Sequence, residues 1–90
     1  MAQNRPMASL AKELGDAVRR RRKAFRLTQA ELARLAGCGA DFLYDLEAGK
    51  PTIRLGKLVD VLGVLGLQLR LEAGKGGLVV DAALGPAAAP

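Results

Sequence analysis

The sequence contains no histidine and no tryptophan, a single cysteine, and only three aromatic residues among 90. Without histidine it lacks the commonest general base and the commonest metal ligand. One cysteine excludes an internal disulfide framework and is typical of a reducing cytosol. No glycine-rich phosphate loop and no nucleophile beside a base is present, and the chain is short for burying a substrate. We therefore expect no enzyme activity, no metal site and no cofactor.

Long apolar runs are missing as well. No stretch approaches the length of a membrane-spanning helix, and residues 1–7 lack the apolar centre of a secretory signal. We expect one small domain of marginal stability, with no membrane partner, in the cytoplasm. If it binds DNA, it would be associated with the nucleoid.

Positive charge is unevenly distributed along the chain. The formal net charge is +5, and residues 12–26 alone carry seven basic and two acidic side chains. The rest of the chain sums to zero. A basic helix on a neutral domain suits a polyanion such as DNA. The same charges also suit a solubilising surface, so charge alone leaves both interpretations open.

The first helix is predicted over residues 9–24, after a flexible arm at 1–8. Ser9 is the expected N-cap. The apolar stripe at helical spacing consists of Leu10, Leu14, Val18 and Phe25. The residues expected to face water are Arg19, Arg20 and Lys23. Gly15 should weaken this helix by roughly 1 kcal/mol relative to alanine.

Two short helices joined by a tight turn are predicted next, which is the layout of a helix-turn-helix. Thr28 and Glu31 form a capping box at the start of the first of them, and Gly37 ends it. The apolar face should consist of Leu32, Ala33, Leu35 and Ala36. The following helix should run over 40–48 and end at Gly49. Its predicted core residues are Leu43 and Leu46, with Phe42 partly covered.

A fourth helix is predicted after Pro51, with Thr52 as its N-cap. Its apolar face should consist of Leu55, Leu58, Val59, Leu62 and Leu65. The helix-turn-helix domain therefore spans 9–66.

After Gly66 the apolar period changes to two, which predicts a half-buried strand over 67–72. Leu67, Leu69 and Leu71 lie on one face of this strand. A lone strand needs a partner for its backbone groups. We favour the same strand of a second copy over a hairpin with 78–80. The remaining tail, 73–90, is expected to be disordered.

Residues 13–66 resemble the lambda-repressor-like (Cro/XRE) family of helix-turn-helix DNA-binding domains. The motifs that carry the resemblance are Leu27-Thr28-Gln29-x-Glu31-Leu32-Ala33 and Leu46-Glu47-x-Gly49-Lys50. With the strand at 67–72, the chain is similar to the HipB-type antitoxin branch. The resemblance implies an all-α bundle of four to five helices with a C-terminal β-strand that pairs across a homodimer.

The resemblance also implies which residues contact DNA. Gln29 and Lys50 match positions that contact phosphates in the family. The sequence alone does not distinguish such a contact from a solvated polar side chain at either position. The positions that enter the major groove are occupied here by Gly39, Ala40, Asp41, Tyr44 and Asp45. Glycine and alanine offer only shape and a thymine-methyl contact, whereas aspartate accepts a hydrogen bond from cytosine N4.

The helix at 40–48 is unusual because it carries three acids and no base. In one interpretation the acids provide specificity by weakening attraction to wrong sequences. The nearby cations Arg34, Lys50 and Arg54 would then offset the repulsion of phosphates. In the other, DNA binding is feeble or lost and the helix contacts protein. We favour the first interpretation.

Two further expectations concern the interior. In the family, an arginine of the first helix and the glutamate near the end of the third form a buried pair, and Arg22 and Glu47 match these positions. The alternative is two solvated charges. Cys38 lies in the turn between the two short helices, and a buried thiol is favoured there over a redox switch or metal ligand.

The expected partners follow from this interpretation. A two-fold dimer would bind a palindromic double-stranded DNA operator whose half-sites are about 34 Å apart. The HipB resemblance further implies a HipA-like toxin kinase, which the dimer would hold while repressing its own operon. We therefore expect a repressor that is also an antitoxin. The alternative is a protein-interaction module with the same fold that does not read DNA.

Overall fold

The computed structural model describes residues 6–81 and Leu84. The described chain has four helices: α1 (Met7–Ala24), α2 (Gln29–Ala36), α3 (Ala40–Ala48) and α4 (Leu55–Val64). Helix α1 packs against α3, and α2 packs against both α3 and α4. The prediction of an all-α helix-turn-helix bundle is confirmed. None of the described helices is both long and apolar enough to cross a membrane.

Helix α1 begins earlier than predicted, at Met7. Pro6 is its N-cap, and the Pro6 carbonyl accepts hydrogen bonds from the amides of Ser9 and Leu10 at 3.0 and 3.3 Å. The prediction that Ser9 caps this helix is wrong, because the Pro6 carbonyl already accepts the first hydrogen bonds of the helix. Proline is tolerated at a helix start, where an amide would have no partner within the helix. Residues 7 and 8 of the predicted arm are therefore helical, and residues 1–5 lie outside the described part of the chain.

The apolar stripe of α1 is buried except at its end. Leu10 and Val18 are buried and Leu14 is partly buried, but Phe25 is 46% exposed. Phe25 follows the last residue of the helix, and Arg26 then turns the chain with a left-handed φ of 60°. The predicted core position of Phe25 is therefore wrong. Its ring lies instead beneath the Arg21 guanidinium, 5.0 Å from the ring centroid.

The two short helices match their predicted bounds closely. The Thr28 hydroxyl accepts a hydrogen bond from the Glu31 amide at 3.0 Å, and the Glu31 carboxylate accepts one from the Thr28 amide at 2.8 Å. The predicted capping box is therefore confirmed. Gly37 and Gly49 end α2 and α3 in the left-handed conformation, as predicted. Leu35 is 57% exposed, so its predicted core position is wrong.

Helix α4 begins at Leu55, two residues later than a cap at Thr52 would place it. Its N-cap is Arg54, so the prediction of a Thr52 cap is wrong. Leu55 and Val59 are exposed, and Val61, which the prediction omitted, is fully buried. The buried residues of α4 and its C-cap are Leu58, Val61, Leu62 and Leu65. Helix α4 packs one face against α2, and Leu55, the first residue of the predicted stripe, does not lie on that face.

Residues 67–72 form no strand in the described single chain. Leu67 is half-buried, whereas Leu69 is half-exposed and Leu71 is fully exposed. The amides of residues 68–72 donate no backbone hydrogen bond to any described residue. The alternative hairpin with 78–80 is also not formed there. Leu78 instead lines a groove with residues near the start of α1 and in the loop before α4.

Gly15 allows α1 and α3 to approach each other very closely. A Cβ atom built on Gly15 would lie 2.3 Å from the Leu46 carbonyl oxygen and 2.9 Å from that of Glu47. Real Cβ atoms do not approach backbone oxygens that closely, so only glycine fits. Gly49 provides a second close contact, since its Cβ would lie 3.0 Å from the Cα of Lys12. The C-terminal end of α3 is therefore held directly against α1.

We predict that Gly15→Ala destabilises the domain, although alanine normally favours a helix. The clash with the α3 carbonyls should outweigh a propensity gain of about 1 kcal/mol. Gly63→Ala is the matched control, because Gly63 lies in α4 with open space around its Cβ position. Thermal melts should show a lower Tm for the first variant and an unchanged or higher Tm for the second. An equal or higher Tm for Gly15→Ala would contradict the close approach.

Candidate nucleic-acid interface

The turn between α2 and α3 sets the angle between the two helices. Gly37 has a φ of 72°, and Gly39 is the extended N-cap of α3, with no side chain to cap it. Cys38 lies between them, partly buried against the core, and its amide donates to the Ala33 carbonyl at 2.9 Å. The turn therefore leaves the first residues of α3 exposed at the surface.

Arg22 and Glu47 form a buried, doubly hydrogen-bonded ion pair between α1 and α3. The Arg22 Nε and Nη2 donate to the two Glu47 carboxylate oxygens at 2.7 and 2.9 Å. The residues are only 8% and 6% exposed. Arg22 Nη1 also donates to the Leu27 carbonyl at 2.7 Å. One guanidinium group thereby ties α1 to α3 and to the segment that leads into α2.

Gln29 is joined to the same pair. Its Nε2 donates to Glu47 Oε1 at 3.0 Å, so the first turn of α2 is linked to the end of α3. The side-chain amide of Gln29 is therefore directed at the carboxylate in the free protein. Among the described residues, no buried side-chain polar atom lacks a hydrogen-bond partner. A fully satisfied polar network of this kind holds a unique arrangement of helices.

The N-terminal end of α2 carries the positive end of the helix dipole, with the capping box at its centre. Hydrogen bonding from Thr28, first through its backbone amide and then through its side chain, lowers the pKa of the Glu31 carboxyl. Glu31 therefore remains ionised well below neutral pH. An anion that approaches this end meets the dipole and the Gln29 side chain, but also this fixed negative charge.

The outward residues of α3 and its N-cap form what we call the reading face, namely Gly39, Ala40, Asp41, Tyr44 and Asp45. Gly39 is the N-cap of α3, and the other four residues lie within its first six positions. The first three are exposed, and Tyr44 is 63% exposed. Asp45 is half-exposed, and its carboxylate lies 3.4 Å from the Lys50 ammonium group. The face thus offers one phenol hydroxyl, two carboxylates and two small residues.

Several residues that shape this interface were not identified from the sequence. Arg21 donates to the Leu65 carbonyl at 2.9 Å and so ties α1 to the end of α4. The close approach at Gly15 fixes the position of α3 along α1. An isolated glycine within a helical pattern is the available signal, because such a residue often has a packing reason. Among the four consecutive arginines, by contrast, the resemblance indicates Arg22 as the partner of Glu47, and the structure buries these two side chains together.

We predict that Glu47→Ala unfolds the domain. The substitution leaves the Arg22 charge buried without its partner, which costs about 3–5 kcal/mol. Asp45→Ala is the control, because it removes a carboxylate of the same helix from an exposed pair worth about 0–1 kcal/mol. Circular dichroism melts should show a large loss of Tm only for Glu47→Ala. A Tm equal to that of the parent would refute the structural role of the pair.

Comparisons with known proteins agree with this geometry. A helix-turn-helix domain family model matches residues 13–74. An uncharacterised HTH-type transcriptional regulator of Sinorhizobium fredii, y4mF, is 48% identical over 61 residues, which cover 68% of this chain and 80% of the relative. The crystal structure of the clp gene regulator ClgR from Corynebacterium glutamicum superposes with a TM-score of 0.61 at 30% identity, over 70% of this chain and 67% of that one. The chain therefore belongs to the helix-turn-helix domain family.

Proposed function

We propose that this chain is a sequence-specific DNA-binding transcriptional regulator that acts as a repressor, with α3 lying in the major groove. The observation that carries the proposal is the exposed reading face, which is held in place by the buried contacts of Arg22, Glu47 and Gln29. A reading helix needs a fixed orientation to discriminate bases, because hydrogen bonds to base edges depend strongly on distance and angle. Family membership and the regulator names of the two relatives support the same function.

Each residue of the reading face has a role in this proposal. The Tyr44 hydroxyl donates to a base edge or a phosphate, and Asp41 and Asp45 accept from cytosine N4. Gly39 and Ala40 allow the helix start to approach a thymine methyl group closely. The positions that contact phosphates are Lys50 and the first turn of α2 with Gln29. Lys50 would exchange its contact with Asp45 for a phosphate oxygen.

We predict opposite effects of Asp41→Asn on affinity and on specificity. Removing this carboxylate should raise affinity for a scrambled duplex, because a charge that repels phosphates is lost. It should also lower the preference for the fragment upstream of the gene, since one good base contact is worth about 1–3 kcal/mol of discrimination. Fluorescence anisotropy with the two duplexes measures both quantities.

Asp60→Asn is the matched control, because it gives the same composition and charge change at an exposed site on α4. This control should leave the preference for the upstream fragment unchanged. If Asp41→Asn also leaves the preference unchanged, Asp41 does not read bases. If the parent shows no preference for any upstream fragment, the alternative of a protein-interaction module is favoured.

We further propose that residues 67–72 pair with the same segment of a second copy, which gives a two-fold dimer and a palindromic operator. The support is chemical: Leu69 and Leu71 are exposed apolar residues, and Leu67 would lie on the same face of the paired strand. Antiparallel pairing would provide partners for the amides of this segment and bury its leucines. The unpaired edge of a single chain is otherwise open to association.

We predict that a chain ending at Gly66 is monomeric, because it retains the helical core and lacks the pairing segment. A chain ending at Asp81 keeps that segment and is the control. Analytical ultracentrifugation at several concentrations should show dimers for the control and for the full chain only. A dimer of the shorter chain would place the interface elsewhere.

The finer proposal is that this regulator is the antitoxin of a HipBA-like pair and binds a HipA-like toxin kinase. Its support is the sequence resemblance to the HipB branch over residues 13–72. Co-expression with the product of an adjacent kinase-like reading frame should yield a co-purifying complex and relieve growth inhibition by the kinase. Growth inhibition that persists on co-expression would restrict the function to repression.

A further inference from the structure

The reading face has little positive charge with which to attract DNA. Asp41 and Asp45 are acidic, and Lys50 lies 3.4 Å from the Asp45 carboxylate and is largely offset by it. The charge of Glu47 is balanced by Arg22 in the interior. Attraction to the phosphate backbone is the main sequence-independent component of DNA affinity. If the proposed function holds, most of that attraction must come from another surface.

Helix α1 contains the densest positive charge, and its arginines are not equivalent. Arg22 is buried against Glu47, and Arg21 is half-buried with its Nε bonded to the Leu65 carbonyl. Arg19, Arg20 and Lys23 are exposed. No ion pair or side-chain hydrogen bond joins these three to other described residues. Their charges are therefore available to an external anion.

Helix geometry shows which of these charges lie beside the interface. Gly15 and Arg22 both contact the C-terminal part of α3, so they mark the edge of α1 that faces it. At about 100° per residue, Arg19 lies roughly 40° from Gly15, and Arg20 lies roughly 140° away. Lys23 follows Arg19 by one turn. Arg19 therefore borders the α3 side of α1, whereas Arg20 lies farther around the helix.

The side of α1 that faces α3 also lies near the start of α2, where we propose that phosphate binds. Arg22 contacts the Leu27 carbonyl, and Gln29 contacts the same carboxylate as Arg22. Arg26 lies between Arg22 and Gln29 in the sequence and is exposed. It is the one non-glycine residue with a positive φ in the described chain. The nearby acid Asp16 lies 3.9 Å from the Lys12 ammonium group, which offsets its charge.

We propose that the α1 edge formed by Arg19 and Lys23, continued by Arg26, is a second phosphate-binding surface. It contacts the DNA backbone beside the bases that α3 reads, and it supplies the sequence-independent attraction that the acidic reading face lacks. This division rests on the proposed DNA-binding function. The ligand is the phosphate backbone of a duplex, and no base is read by this edge.

The test compares Arg19→Gln with Arg20→Gln, two variants of identical composition and charge. Binding of the full chain to a 30-base-pair duplex of mixed sequence is measured by anisotropy over a series of NaCl concentrations. Arg19→Gln should lower affinity several-fold at low salt and reduce the slope of log K against log salt by about 1. Lys23→Gln, added to Arg19→Gln, should reduce the slope further. Arg20→Gln should change the slope much less.

Melting temperatures equal to the parent's would show that the exposed substitutions leave the fold intact. Equal effects of Arg19→Gln and Arg20→Gln in a parent that binds DNA would overturn this proposal, because only net charge would then matter. A parent whose duplex binding is absent or independent of salt would instead overturn the proposed function itself. The two failures are therefore distinguishable.

Discussion

The ion pair between Arg22 and Glu47 is the interaction on which the rest of the structure depends. It joins α1 to α3 through two hydrogen bonds, and Glu47 accepts a third from Gln29 at the start of α2. Gly15 allows the contact because it brings the carbonyls of α3 against α1 without a side chain between them. A buried pair of this kind contributes little net stability compared with an apolar core. Its value here is that three helices acquire one relative orientation.

Under the proposed function, that orientation separates attraction to the DNA backbone from discrimination among bases. The reading face carries Asp41, Asp45 and Tyr44, which suit discrimination among base edges more than attraction to phosphates. Positive charge is concentrated on α1, which packs against α3. Weak local attraction at α3 increases the penalty for an incorrect base, because fewer non-specific contacts compensate for it. In this proposal, affinity and specificity are controlled by different helices.

Much of this fold could be predicted from the sequence, because its turns use residues with distinct backbone preferences. Thr28 with Glu31 and the glycines Gly37 and Gly49 gave correct helix bounds, and Leu43 and Leu46 are core residues as predicted. The errors fall where tertiary contacts decide. Leu35, Leu55 and Val59 have helical spacing but lie on faces that no described element covers. The predicted caps Ser9 and Thr52 were wrong because a helix can begin without a side-chain cap. Helices α1 and α4 begin after Pro6 and Arg54, and neither residue makes a capping side-chain hydrogen bond. The contact of Gln29 with Glu47 also depends on three-dimensional packing, so no spacing rule predicts it.

The most direct test of the account replaces both members of the buried pair with apolar residues of similar size, Arg22→Met with Glu47→Leu. Removing both charges avoids an unpaired buried ion, so the double variant should melt near the parent's Tm. Its affinity for the upstream DNA fragment should nevertheless fall at least about tenfold, a loss of roughly 1.4 kcal/mol, because α3 and the start of α2 lose their fixed orientation. Parent-like affinity in a stable double variant would contradict the claim that this pair positions the reading helix.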